Sequence, residues 1–309
     1  MNRVIKIGTR DSELALWQAK KVESELKKLG YQTQLVPVKS TGDLVLDKPL
    51  YEMGITGIFT KTLDVAMINK EVDIAVHSMK DVPTMLPEGI VQGAVLKRAN
   101  SVDILLHKGD VDFLNPDKEA VVATGSLRRK AQWLNRFPKH TIVDLRGNVN
   151  TRMQKLEDND WNGAIFASAG LDRIKKKPKN YINLDWMIPA PAQGAMVVVV
   201  NSDDSFAMDA VSMLNNYETE MATHIERQFL RTLEGGCTAP IGALATYNDH
   251  DDTINFKGVL FSLDGKEKFE VNKVAPIEEW KKLGFFAAKE ILENGGSMLM
   301  EKLREQLKK

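Results

Sequence analysis

Three groups of side chains in this sequence could do chemistry. The first is a lone thiol, Cys237, in the run Leu233-Glu234-Gly235-Gly236-Cys237-Thr238-Ala239-Pro240. Glycines permit close backbone approach and unusual dihedrals, so this cysteine is expected on a tight, displayed loop that follows a helix. One cysteine can form neither an internal disulfide nor a cysteine-based zinc site; it is a small buried hydrophobe or a reactive thiol. No His and Asp set nearby points to a cysteine protease, and no metal site is expected.

The second group is Asp73-Ile74-Ala75-Val76-His77-Ser78-Met79-Lys80-Asp81, a polar cluster at the end of a short apolar strand. Asp81 is the first suspect. A carboxylate beside Lys80 and backed by apolar walls can stabilise a cation forming next to it, or move protons. On spacing alone it can equally cap the turn before Pro83. His77, a lone histidine after an apolar strand, reads as structural.

The third group is basic. Between residues 121 and 152 stand Arg128, Arg129, Lys130, Arg136, Lys139, Arg146 and Arg152 against a single acid, Asp144. Thr124-Gly125-Ser126 should end a strand and open the helix bearing Arg128 and Arg129, which aims backbone N–H groups and a helix dipole at an anion. Arginine forks match carboxylates with two bonds each. The alternative is a solvated basic face.

The elements that must position these groups alternate between strand and helix. A strand over 4–8 leads to a helix over 11–29 with Ala15, Ala19, Val22, Leu26 and Leu29 on one face and Gly30 as its stop, then a strand over 33–38. A helix over 59–69, a strand over 73–76 and a turn at Asp81-Val82-Pro83 follow. The alternation restarts with strands over 102–106, 120–123, 141–145 and 163–167 and helices over 127–137 and 150–156. The proline-bearing stretch 181–191 is expected to cross between domains before a strand over 196–200 that returns to the first. Strands over 241–246, 253–260 and 268–274, then one helix over 277–293, suggest a smaller α+β domain. The expected domains are 1–97 with 195–214, 98–194, and 215–309.

The 309 residues, 43% hydrophobic and 27% charged, are more than one core usually serves. The 42 Lys plus Arg balance 42 Asp plus Glu, which argues against a nucleic-acid or anionic-membrane partner and makes any electrostatic function local. The first residues run into strand-like sequence without a secretory h-region, and no apolar run approaches the roughly 20 residues of a membrane span. A cytoplasmic location is the expectation.

Taken in order, the motifs resemble the porphobilinogen deaminase (hydroxymethylbilane synthase) family over nearly the whole chain. They are Gly8-Thr9-Arg10 with Ser12 and Leu14-Ala15-Leu16-Trp17-Gln18; Thr41-Gly42-Asp43; Phe59 with Lys61; Ala75 through Pro83; Gly125-Ser126-Leu127-Arg128-Arg129; Leu145-Arg146-Gly147-Asn148-Val149 with Thr151-Arg152; Ala169-Gly170-Leu171; Gln193-Gly194-Ala195; and Leu233 through Cys237.

The resemblance implies an α/β molecule of two periplasmic-binding-protein-like (type II) domains with the active site in the cleft between them, plus a smaller C-terminal α+β domain that carries the cysteine. It implies a transferase of tetrapyrrole and haem biosynthesis that condenses four porphobilinogen molecules, each losing ammonia, on a dipyrromethane cofactor held by Cys237 through a thioether. Hydrolysis then frees hydroxymethylbilane, which would pass to uroporphyrinogen-III synthase, and the expected state is a monomer. By the same resemblance Asp81 is catalytic. Lys80, Asp81, Thr124, Ser126, Arg128, Arg129, Arg146 and Gly147 hold the cofactor, and Arg10, Ser12, Phe59, Arg146, Arg152 and Gln193 hold substrate.

Each pyrrole brings an acetate and a propionate, which explains arginines in a neutral protein. The sequence departs from the family pattern in lacking a lysine in Gly54-Ile55-Thr56-Gly57, in having Ala192 where glycine is usual before Gln193-Gly194, and in Ala123 before Thr124-Gly125. Two competing readings are a carboxylate-binding module without catalysis, which a two-domain cleft with arginines would also serve, and a nucleic-acid binder using the basic cluster. The Gly-Gly-Cys loop weighs against the first, neutral charge and few nearby aromatics against the second.

Overall fold

The computed structural model describes residues 3–38, 60–233 and 239–307. Of these, 3–38, 60–99 and 194–221 form one compact unit, and 100–193, 222–233 and 239–307 form a second.

The first unit is built on a five-stranded sheet in the order β2-β1-β3-β10-β4. Its strands are β1 (Val4–Arg10), β2 (Gln32–Val38), β3 (Ile74–Ser78), β4 (Ile90–Leu96) and β10 (Met196–Asn201). β1 runs parallel to β2 and β3, whereas β10 pairs antiparallel with both β3 and β4. The valine run of β10 is buried at every position, as a central strand covered on both faces must be. Helix α1 (Glu13–Lys28) lays Ala19, Val22 and Leu26 against Ile5, Ile7, Ile74 and Val76. Leu29 does not share that face: it is the residue that ends the helix and is 46% exposed, one step past the last turn that the apolar stripe can reach. Helices α2 (Lys61–Ile68) and α6 (Ser205–Ser212) complete the unit's layers.

The second unit contains a five-stranded sheet in the order β7-β6-β8-β5-β9. Its strands are β5 (Asp103–His107), β6 (Val121–Ala123), β7 (Thr141–Val143), β8 (Gly163–Ala167) and β9 (Tyr181–Asn183). β6 is parallel to β7 and β8, and β5 is antiparallel to β8 and β9. The two sheets therefore share one topology, with β6 in the place of β1 and β8 in the place of β3. This is the pair of like α/β domains that the sequence leads one to expect. Helices α3 (Leu127–Arg136), α4 (Val149–Asp158) and α5 (Ser168–Arg173) flank the sheet, whose two faces bury separate cores, one around Trp133 and the other around Phe166.

The stretch 181–191 is not a free crossing: its first residues form edge strand β9 on β5, and the chain changes unit at 99–100, at 193–194 and again at 221–222. Prolines at 189 and 191 lie just before the second of these, so their signal was displaced by a few residues.

The second unit also holds a smaller α+β part. Helix α7 (Tyr217–Thr232) leads toward an antiparallel meander of β11 (Ile241–Asn248), β12 (Thr253–Phe261) and β13 (Lys268–Pro276). Phe229 of α7 meets Phe256 of β12 edge-on at 5.2 Å. The C-terminal helix is two helices, α8 (Trp280–Ile291) and α9 (Ser297–Leu307), where one had been expected. Gly295 adopts φ +107° between them, a conformation that breaks a right-handed helix and suits glycine. No helix among the described residues is long and apolar enough to cross a membrane.

Candidate functional site

The shared topology puts polar clusters at equivalent places, since in each sheet the central parallel strand ends in a turn that opens a helix. In open α/β sheets, ligands bind outside such carboxyl ends.

In the first unit β1 ends at Arg10, and Ser12 occupies the N-cap of α1 in extended backbone without making a side-chain capping bond. The hydroxyl and the first N–H groups of a 16-residue helix are thus presented together. The neighbouring strand β3 ends in Ser78 and a 3-10 turn, Met79–Asp81. These ends enclose a pocket of about 70 Å³ lined by Arg10, Ser12, Gln18, His77, Ser78 and Asp81 among others. The Gln18 amide donates to the Ser78 hydroxyl at 2.9 Å and fixes one wall. Asp81 is half-buried, and among the described residues no hydrogen bond from the following turn reaches its carboxylate: the Val82 N–H goes to the Met79 carbonyl. The turn-cap role therefore finds no support in the geometry. Lys80, beside it in the same 3-10 turn, is also half-buried.

His77 is buried as a structural histidine would be, but its Nε2 has no partner among the described residues. Burial, and then the charge of Arg10, push its pKa down to about 4, so the ring is neutral near pH 7.

In the second unit Thr124-Gly125-Ser126 joins β6 to α3. Ser126 is the N-cap and its hydroxyl accepts the Arg129 N–H, while the Ser126 N–H donates to Thr124 Oγ1 at 3.3 Å. The next loop lies directly against this turn: a Cβ on Gly125 would stand 2.6 Å from the Leu145 carbonyl oxygen. That approach brings the Arg146-Gly147 loop to the start of α3. Asn148 caps α4, and Arg152 donates its Nε to the Gly147 carbonyl at 2.7 Å. Arg146 is 6% exposed; burial lowers its pKa, opposed by Asp144.

Arg128 and Arg129 are not a solvated face. Both are buried and both donate to Asp103, at the start of β5, which is fully buried. Burial alone would push the Asp103 carboxyl up, but the two guanidiniums and the Gln193 amide override it and hold it well below the usual carboxylate range. Gln193 spends that amide inside the protein, on Asp103 Oδ1 at 2.9 Å and on the Ser101 carbonyl at 2.7 Å. Ala192, just before it, has φ +63°, which explains why glycine would be favoured there. Asp103 escaped the sequence reading because nothing in a strand pattern says that its first residue turns inward to two arginines 25 and 26 positions away. Arg173, at the end of α5, was also passed over; burial lowers its pKa to about 10. Phe59, Cys237 and the Gly54-Ile55-Thr56-Gly57 segment lie outside the described residues.

A larger pocket of about 260 Å³ lies at the opposite, amino end of β1, where Arg3 is already paired with Asp73 and Asp204. Its charges satisfy one another, and it shares no lining residue with the pocket around Arg10 and Asp81.

Fold and site together define a class: an α/β protein that gathers cations, hydroxyls and helix starts at strand ends, an arrangement suited to a small ligand with several carboxylates. Residues 5–209 match the family described as porphobilinogen deaminase, dipyromethane cofactor binding domain, and residues 220–293 match the porphobilinogen deaminase C-terminal domain. The chain is 39% identical to a porphobilinogen deaminase of Carboxydothermus hydrogenoformans over 98% of both chains. It is 40% identical to a probable porphobilinogen deaminase of Methanocaldococcus jannaschii, covering 91% of this chain and 98% of that one. Among solved structures it is loosely similar to the periplasmic VFT2 domain of Bordetella pertussis BvgS, at 11% identity and TM-score 0.43 over 68% of this chain and 86% of that one. The chain belongs to the porphobilinogen deaminase family.

Proposed function

We propose that this protein condenses four porphobilinogen molecules, with loss of ammonia at each step, into a linear tetrapyrrole assembled on a dipyrromethane carried by Cys237. Beyond family membership, the observation that carries this reading is the doubled strand-end arrangement. Arg10, Ser12 and Asp81 line one pocket, while Thr124, Ser126, Arg128 and Arg146 gather at the equivalent turn of the other sheet. Oligomeric pyrrole acids present several carboxylates, and each cluster by itself offers counter-charges without a net positive protein.

The residues present fit the dipyrromethane on chemical grounds: Arg128 keeps a buried Nε without a partner among the described residues, next to a helix N-terminus. Arg128, Arg146, Lys80, Thr124, Ser126 and the Gly147 backbone would hold its carboxylates, with Arg129 adding charge from a fixed position. When bound, that group would supply the nucleophilic pyrrole carbon to which the first new unit is joined, each later unit joining the terminal pyrrole of the growing chain.

The chain's own residues do the rest. Arg10, Ser12, Phe59, Arg146, Arg152 and Gln193 bind and orient the incoming porphobilinogen, and the Gln193 Nε2 also braces Asp103 from within. Asp81 keeps a negative charge where the aminomethyl carbon becomes cationic as ammonia leaves, then takes the proton released at the new junction. His77 remains neutral and adds no competing positive charge. The product, hydroxymethylbilane, would be released by water and used by uroporphyrinogen-III synthase. We place the protein in the cytoplasm as a monomer, with a third, C-terminal domain that carries the cysteine.

Incubation with porphobilinogen tests this reading. One linear tetrapyrrole and four molecules of ammonia for every four porphobilinogens consumed is the expected stoichiometry. Binding without release of ammonia would instead support the carboxylate-binding module.

A further inference from the structure

We infer that Asp103 is a positioning residue that sets the Arg128 and Arg129 pair for a ligand carboxylate before the ligand arrives. The inference rests on the activity proposed above and deepens it by naming what prepares the cofactor-holding cations.

Asp103 is 0% exposed, so no ligand touches it, yet three N–H donors and one further guanidinium nitrogen converge on its carboxylate. Oδ1 accepts Arg129 Nε at 2.9 Å and Gln193 Nε2 at 2.9 Å and stands 2.7 Å from Arg129 Nη2 as an ion pair, and Oδ2 accepts Arg128 Nη1 at 2.7 Å. The two arginines stand in the first turn of α3, where the helix dipole opposes positive charge, and both are almost wholly removed from water. Without an internal anion the two would repel each other and turn toward solvent. Asp103 cancels one of the two charges and fixes two long side chains that would otherwise keep much rotamer freedom.

The fixing is asymmetric. The Arg129 guanidinium is held on all sides inside the protein: Nε donates to Asp103, Nη2 pairs with the same carboxylate, and Nη1 donates to the Ile165 carbonyl at 3.0 Å. Arg128 spends Nη1 on Asp103 and on the Ile188 carbonyl at 2.8 Å, while its Nε is buried and without a partner among the described residues. Arg129 is therefore a strut, and Arg128 is the member of the pair with an unspent donor. The pair presents one net positive charge, aimed from a prepared position, and such preparation lowers the ordering cost of binding.

Two measurements test this. In wild-type protein with 15N-labelled arginine, the Arg129 Nε–H resonance should exchange slowly with water and stay in place when porphobilinogen is added, while the Arg128 Nε–H resonance moves. Fast exchange at Arg129, or equal movement of both, overturns the inference. The second measurement uses Asp103→Glu and Asp103→Asn, following the porphobilinogen concentration needed for half-maximal adduct formation by intact mass, with a thermal melt alongside. Positioning predicts a requirement raised about ten- to a hundredfold in both variants, with the rate at saturation much less affected. Asp103→Glu keeps the charge and moves the carboxylate, so loading like wild type would reduce Asp103 to charge balance and overturn the proposal. Where a variant does not fold, the wild-type resonances decide. Wild type that takes up no pyrrole adduct counts against the proposed activity, and the Arg129 resonance still judges Asp103.

Discussion

His77 and Arg10 lie on neighbouring strands of one sheet, and the charge of Arg10 falls on an imidazole already stripped of water. Burial and that charge lower the His77 pKa from 6.5 to about 4. Below pH 6.5 the unfolded chain takes up a proton at this position, and the folded chain does not until pH approaches 4. Stability from this group is therefore complete above pH 6.5 and is lost as pH falls through that window. At pH 4.5 the loss is on the order of 2–3 kcal/mol. His77→Gln should flatten that part of the acid limb, read as the wild-type minus variant difference in urea midpoint between pH 7 and pH 4.5. Parallel curves would show that His77 titrates normally.

Gly125 has no room for a side chain beside the Leu145 carbonyl. Gly125→Ala must push the Arg146 loop away from the start of α3, at a cost of roughly 1–3 kcal/mol. Cofactor loading should suffer even at temperatures where the variant is folded. Thermal melts and intact mass measured together check this, and an unshifted melt would mean that the two loops yield easily.

Arg146→Leu removes a cation that burial has already partly desolvated. A charge-assisted bond to a carboxylate is worth roughly 1.5–3 kcal/mol, so binding of the oligopyrrole should weaken about ten- to a hundredfold. The fold should be little affected. Titration of cofactor assembly against porphobilinogen reads the effect, and full activity would return Arg146 to a structural role.

Asp81→Asn keeps size and hydrogen-bonding reach and removes the charge. Protein already carrying the cofactor should extend the chain on the order of a hundred- to a thousandfold more slowly in a single turnover, with an unchanged melt. Extension at a near-normal rate would mean that another group bears the cation.

These residues also show what a sequence can tell. The apolar positions Ala15, Ala19, Val22 and Leu26 and the valine run of β10 follow helix and buried-strand periods, so the elements that carry Arg10 and Ser12 were legible. So was the surplus of arginine around α3. Its internal counter-charge was not, because Asp103 meets Arg128 and Arg129 only after β5 and β6 have joined one sheet through β8. The internal bonds of Gln193 were hidden for the same reason: its Nε2 donates to Asp103 and to the Ser101 carbonyl. The break between α8 and α9 was written in Asn294-Gly295-Gly296, but the helical period continues on both sides and masks it.

The central claim is that Cys237 carries two linked pyrroles on which the product is built, and intact-protein mass spectrometry tests it most directly. The account predicts that active protein exceeds its sequence mass by one dipyrromethane, that the excess maps to the peptide containing Cys237, and that Cys237→Ala loses adduct and turnover together. Fully active protein of unmodified mass, or an active Cys237→Ala variant, would contradict it.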